Sequence, residues 1–356
     1  MKTVLAGILG LFMGALLVWL LFRSTDWPAV ANAITHIDWV WLLLAQIPLF
    51  LTFPARVQRW SYIVRATDDV SYRKLFSSTQ IGILGNFVLP ARAGEAIRAL
   101  TLTRLADIPF SKTLAFVTLD RVTDLFGFIG VVIVSILAFH PEQDVVVSAE
   151  TFGTPEPIVL ATGVIRFGAL ATGAALSVMI GSLALLYFRR ASGLALIDAV
   201  LGRLSRRLAD VVMRIFEHFL DGLAVFRSPA DMLRSLAWSF ATWGLAMLAM
   251  AALLEAFSID YPWFAPFVIQ ALVSVFISAP STPGFVGQFH VPVVLGLLMT
   301  TSTVTSDGAK AFAIVYHLIQ LPPVFILGIV CLLGERMNLL RLKSEGDALA
   351  QGTGIP

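Results

Sequence analysis

Two stretches decide how this chain is read: Gly85–Arg98, GNFVLPARAGEAIR, and Ser278–His290, SAPSTPGFVGQFH. Each sets proline and glycine beside polar or charged residues inside long apolar sequence. A bilayer accepts unpaired backbone only where protein buries it or a water-filled cavity borders it. Two such breaks in corresponding positions of two halves point to a transporter's binding site. The surrounding sequence supports a membrane setting. Of 356 residues, 58% are hydrophobic and 13% charged, against roughly 25% charged in a soluble domain. The expected class is an all-α polytopic helical membrane protein.

Outward from the breaks, full spans are expected at Thr3–Phe22, Asp38–Pro54, Lys112–Phe139, Pro157–Phe188, Met232–Phe257 and Gly308–Leu333. Broken stretches occupy about Leu75–Leu105 and Phe264–Met299. The first span follows Lys2 and precedes Ala31-Asn32-Ala33, as a signal peptide's core would. It is longer than the roughly 7–15 apolar residues of such a core, and is read as a retained helix. Within it, Gly10-Leu11-Phe12-Met13-Gly14 could form a helix-packing notch, although ordinary close packing explains it as well.

Loop charge sets the expected topology. The segment Arg56–Lys74 carries Arg56, Arg59, Arg65, Arg73 and Lys74, and Arg189–Arg234 carries seven further arginines from Arg189 to Arg227. His140–Glu156 holds Glu142, Asp144, Glu150 and Glu156 with no lysine or arginine. The positive-inside rule then puts both termini and the basic loops in the cytoplasm, in a cell inner (cytoplasmic) membrane. The order of span, span, broken pair, span occurs twice, with three full crossings each time. An odd number makes the second half enter from the opposite side. The expectation is about six full spans plus two broken re-entrant helical hairpins in an inverted-topology repeat. Residues 1–139 form the first half and residues 157–333 the second, with residues 334–356 as a cytoplasmic tail. Counting each broken pair as two complete crossings leaves loop sidedness unchanged. Between the halves, residues 194–226 place apolar residues at steps of three and four, with Arg203, Arg206, Arg207 and Arg214 on other faces. That pattern fits a basic amphipathic helix on the cytoplasmic surface, or a brace beneath the bundle.

Ionic residues inside apolar sequence are the candidate site. Asp120, Arg121 and Asp124 sit early in one span, and Arg92, Glu95 and Arg98 follow at steps of three in the first break. A helix beginning near Gly94 would align Glu95 with Arg98. Six charges facing lipid would cost on the order of 15–20 kcal/mol. They sum to zero, so pairing inside the bundle is expected. That pairing is either architectural or the lining of a polar cavity where arginine meets an anionic headgroup. In the second break Pro283, Gly284 and Gly287 interrupt the helix, with Gln288 and His290 alongside. A helix starting near Phe285 would aim its positive end into the membrane. His290 and His317 could couple transport to protons or act as neutral hydrogen-bonding groups. Asn86 reads as a backbone cap.

Catalytic signatures such as G-x-S-x-G, H-E-x-x-H and G-x-x-x-x-G-K are absent, and no enzyme activity, cofactor, metal or nucleic acid is expected. The lone Cys331 reads as a small apolar filler.

The run Asn86…Leu89-Pro90-Ala91-Arg92-Ala93-Gly94-Glu95…Arg98, then Ser111…Leu114-Ala115, Asp120-Arg121…Asp124 and Pro283-Gly284-Phe285-Val286-Gly287 carries a family likeness. Across about Thr3 to Leu333 the chain resembles the lysylphosphatidylglycerol synthase transmembrane-domain family, or flippase-like membrane proteins. Two positions depart from the commoner pattern: Asp120 replaces a glutamate, and His290 replaces an acid. The resemblance implies a flippase-like transporter that moves a lipid with a charged headgroup, of phospholipid, aminoacylated phospholipid or glycolipid type. With only about twenty residues after the final span, no synthase domain is expected, hence no aminoacyl transfer. Expected partners are membrane lipids and a partner lipid synthase or glycosyltransferase, the latter if the chain is a non-transporting scaffold.

Overall fold

In the computed structural model the described residues are 2–89, 93–188, 199, 206, 229–278 and 282–350. The chain is an all-α polytopic membrane protein. Before the first break come α1 (Lys2–Phe22), α2 (Trp27–Thr35) and α3 (Trp39–Val64). The first broken stretch is a helical hairpin, α4 (Tyr72–Val88) and α5 (Gly94–Ala106), and α6 (Phe110–Ala138) follows it. A two-stranded antiparallel hairpin comes next, β1 (Val145–Val147) on β2 (Ile158–Leu160), with the short α7 (Ala149–Phe152) in its loop. Then comes α8 (Thr162–Phe188). The second half has α9 (Pro229–Ala256), α10 (Ala265–Ser278), a 3-10 turn (Pro283–Phe285), α11 (His290–Thr300) and α12 (Ser306–Gly334), and α13 (Leu339–Ala350) closes the chain. Among the described residues α3, α6, α9 and α12 are long and apolar enough to cross a membrane. The predicted surface helix over residues 194–226 lies outside the described residues, apart from Ala199 and Arg206.

Three expectations need correction. The second span does not end at Pro54. Asp38 Oδ1 caps the helix by accepting from the N–H groups of Val40 and Trp41, and the helix continues through Pro48 and Pro54 to Val64. Arg56 and Arg59 are therefore helical residues, not loop residues. Trp39 to Arg59 is 20 steps, roughly 30 Å at 1.5 Å per residue, so Arg59 is reached only after a bilayer's worth of helix. Second, the span expected from Pro157 begins at Thr162, because Ile158–Leu160 pairs with Val145–Val147. Third, the helix of the second break starts at His290 rather than near Phe285. Gly284 (φ 65°), Phe285 (φ 57°) and Gly287 (φ 83°) all adopt left-handed backbone, which stops the helix from starting sooner.

Two apolar cores organise the bundle. One draws Val57, Trp60, Ile63, Leu75, Leu102 and Phe116 from α3 to α6. The other is built from α9 to α12, with Leu21, Ile37 and Ala45 joining from the first half. The longest helix contact runs between α9 and α3, so the two halves meet along that pair. Cys331 packs with Leu332, Ile81 and Leu342 where α13 covers the first hairpin, as an apolar filler does.

Candidate functional site

The site starts with the close approach of α4 and α5. A Cβ at Gly82 would lie 2.6 Å from the Arg98 Cβ, and one at Gly94 would run into the Gly82 carbonyl and Asn86. Glycine at these positions lets the two arms touch backbone to backbone. Asn86 closes the hairpin as a cap: Gly94 N–H donates to its Oδ1 at 2.9 Å, and its Nδ2 donates to Glu95 Oε1 at 3.2 Å. The tight crossing points Arg98 and Glu95 at α3 and α6.

There they enter an ionic network. Asp120 bridges two arginines: Arg59 Nε donates to Oδ1 at 2.8 Å and Arg98 Nη1 donates to Oδ2 at 2.7 Å. Arg59 and Asp120 are each only 1% exposed. Arg59 Nη1 also donates to Asp124, and Arg121 Nη2 pairs with Glu95 Oε1 at 2.8 Å. The Arg98 guanidinium lies over the Trp60 ring, 3.7 Å from its centroid, a cation–π contact worth about 1–2 kcal/mol when desolvated. Helix α9 supports the network through backbone: Trp243 Nε1 and Ser239 Oγ donate to the Asp124 carbonyl at 3.3 and 3.4 Å. The alignment of Glu95 with Arg98 expected from their spacing is not the pairing found. Glu95 reaches Arg121 and Arg98 reaches Asp120, because both side chains leave α5 for a neighbouring helix.

Two cavities border this network. The larger, about 480 Å³, runs between the halves. Its lining includes the charged Arg56, Glu95, Arg121 and Asp124 together with Phe87, Trp243, Gln270, Phe285, Tyr316, His317 and Gln320. The smaller, about 10 Å³, has room for a single water and is lined by Arg59, Arg98, Asp120 and Glu95 among others. Glu95 Oε2 and Arg98 Nε and Nη2 are buried there without a hydrogen-bond partner among the described residues.

Of the sequence-predicted residues, Glu95, Arg121 and Asp124 line the large cavity, and Arg98 and Asp120 lie buried behind them. Arg92 and the Pro283 side chain fall outside the described residues. The second break is used differently from the expectation. Gln288 Oε1 accepts from Thr282 N–H at 3.1 Å, and His290 Nδ1 accepts from Gly287 N–H at 3.3 Å. Gly284 O accepts from His317 Nε2–H at 2.8 Å. Gly287 and Gly14 pack against one another: a Cβ at Gly287 would sit 2.7 Å from Gly14 O. Gln288 and His290 thus hold the turn together and line neither cavity, whereas Phe285, Phe289 and His317 do line the large one. Sequence reasoning missed Arg56 and Arg59, which look like loop arginines once the span is ended at Pro54. Their spacing of three, matching that of Arg121 and Asp124, was the available signal.

Fold and site together define a polytopic helical membrane protein whose halves enclose an ion-paired, amphipathic cavity. Residues 7–328 match the family described as lysylphosphatidylglycerol synthase TM region, and the chain belongs to it. The chain is similar to a protein named glycosyltransferase AglD from Haloferax volcanii, with 25% identity over 355 residues. That match covers 95% of this chain and 56% of that protein, so the chain spans about half the length of that curated relative. A UPF0104 membrane protein from Methanothermobacter thermautotrophicus is 30% identical over 111 residues, covering 30% of this chain and 33% of that protein.

Proposed function

We propose that this chain is a flippase-like transporter of the cytoplasmic membrane, with both termini in the cytoplasm. It passes the charged headgroup of a lipid through the cavity between its halves and performs no group transfer itself. The observation that carries this reading is the 480 Å³ cavity, whose lining combines ionic groups with aromatic and amide-bearing side chains. Ionisable groups inside a membrane bundle mark substrate paths, and an amphiphile likewise combines a charged part with an apolar one. The doubled order of long helix, broken helical pair and long helix supports alternating access by the two halves. The test is transbilayer movement of fluorescent lipid analogues in proteoliposomes, with Glu95→Gln and Arg121→Gln as variants. The expected result is protein-dependent movement that both variants slow at least about tenfold. Rates equal to protein-free vesicles for every lipid tried would refute it.

A second reading has its own support. The similar region of the Haloferax relative is part of a longer protein named a glycosyltransferase, which favours a membrane scaffold for a partner lipid synthase or glycosyltransferase. Co-purification of such a partner, with no lipid movement, would favour the scaffold.

A further inference from the structure

The described ionic groups of the network are four arginines, 56, 59, 98 and 121, against three carboxylates, Glu95, Asp120 and Asp124. They carry one surplus positive charge. Each of these carboxylates has an arginine partner, Asp120 in Arg59 and Arg98, Asp124 in Arg59 and Arg121, and Glu95 in Arg121 through Oε1 alone. Arg56 stands apart. It lies three residues before Arg59 on α3, is half-buried and lines both cavities, yet makes no hydrogen bond or ion pair with the described residues. A guanidinium at the border of a membrane bundle favours an anionic neighbour, and its planar fork suits a phosphate. The same cavity lining offers Thr242, Gln270, Ser274 and Gln320 along with the Trp243 and Tyr316 rings. None of these is an acid. Their hydroxyl and amide groups can donate to and accept from the hydroxyls of a ligand.

We propose that the cavity accepts a lipid phosphodiester of single negative charge, bound through Arg56, whose terminal group is small, uncharged and rich in hydroxyls. This rests on the lipid-headgroup reading above and narrows it. A cationic aminoacylated headgroup would add positive charge to a described network that already carries one surplus. The volume of 480 Å³ is many times what a single water needs, enough for a phosphate and a polyol.

The experiment measures binding, not movement, so it is separable from the transport assay. Full-length protein in detergent is delipidated and offered short-chain phosphatidylglycerol, phosphatidylcholine, lysylphosphatidylglycerol or glycerol 3-phosphate, with retention read by native mass spectrometry and thermal shift. The expected result is phosphatidylglycerol bound about tenfold more tightly than the zwitterionic and cationic lipids, and more tightly than the free phosphate. Arg56→Gln should reduce that preference to about twofold or less, while Arg56→Lys keeps part of it because the charge remains. Unliganded thermal stability of both variants should stay near the parent's, since Arg56 makes no hydrogen bond or ion pair with the described residues. Equal or tighter binding of lysylphosphatidylglycerol, an undiminished preference in Arg56→Gln, or glycerol 3-phosphate binding as tightly as the lipid would each overturn the proposal. Absence of lipid movement in vesicles, with this binding pattern intact, would instead count against the transport reading alone.

Discussion

Replacing Asp120 with asparagine tests the ionic network most directly. The native carboxylate divides its two oxygens between Arg59 Nε at 2.8 Å and Arg98 Nη1 at 2.7 Å. In Asp120→Asn one oxygen remains to accept, and an NH2 group faces the other arginine. Arg59 keeps Asp124, but Arg98 loses its sole ion-pair partner among the described residues. Removing one partner of a buried pair costs about 3–5 kcal/mol. Arg98 retains its stacking on Trp60, which favours the lower end of that range, about 3 kcal/mol. That corresponds to roughly a hundredfold shift in the folding equilibrium. The assay is reversible unfolding in mixed micelles by titration with a denaturing detergent, followed by tryptophan fluorescence. The double variant Arg98→Met with Asp120→Asn removes the orphaned charge along with its partner. It should therefore be more stable than the sum of the single changes implies, with a coupling of about 1–3 kcal/mol. Stability of Asp120→Asn within about 0.5 kcal/mol of the parent, or strict additivity in the double variant, would refute the reasoning.

Two further predictions concern parts of the fold that set the site and its outer cover. Gly94→Ala should lower stability by about 1–3 kcal/mol or more, because the new methyl meets the Gly82 carbonyl and Asn86 and forces the α4–α5 arms apart; the yield of monodisperse protein and the thermal transition report it, and a parent-like transition would show that the arms can separate freely. Outside the membrane, Thr162 N–H donates to Asp144 Oδ1 at 2.7 Å, and this hydrogen bond holds the Asp144 carboxyl below the ordinary carboxylate range. A lowered value means the contact stabilises the β1–β2 hairpin above the usual carboxylate pKa and is lost as pH falls through the folded value. Amide exchange at Val145–Val147 should rise on acidification in the parent, and that pH dependence should flatten in Asp144→Asn; identical profiles would remove the contact from the account.

Much of the architecture was legible because hydropathy is a property of local windows. The spans beginning near Lys112, Met232 and Gly308 match α6, α9 and α12 closely, and Gly94 does start a helix. Asn86 caps the hairpin as its place beside the break implied. Local reading failed where two physical signals overlap. Arginine at the end of a span and arginine in a cytoplasmic loop look alike in sequence, so Arg56 and Arg59 were set in a loop although α3 carries them onward to Val64. Left-handed backbone at Gly284, Phe285 and Gly287 likewise delayed the start of α11 to His290.

By itself the sequence determined a helical membrane protein with two interrupted segments and buried charge near both Gly94 and Asp120. Spacing of three or four names neighbours on one helix, and it cannot name partners on another. Only the tertiary structure decided that Asp120 joins Arg59 to Arg98 across three helices. It also decided that Gln288 and His290 serve their own turn while Arg56 lines the cavity, unpaired among the described residues. Ion pairing is settled by which helix faces pack together, and that packing comes from apolar contacts and glycine crossings spread along the whole chain.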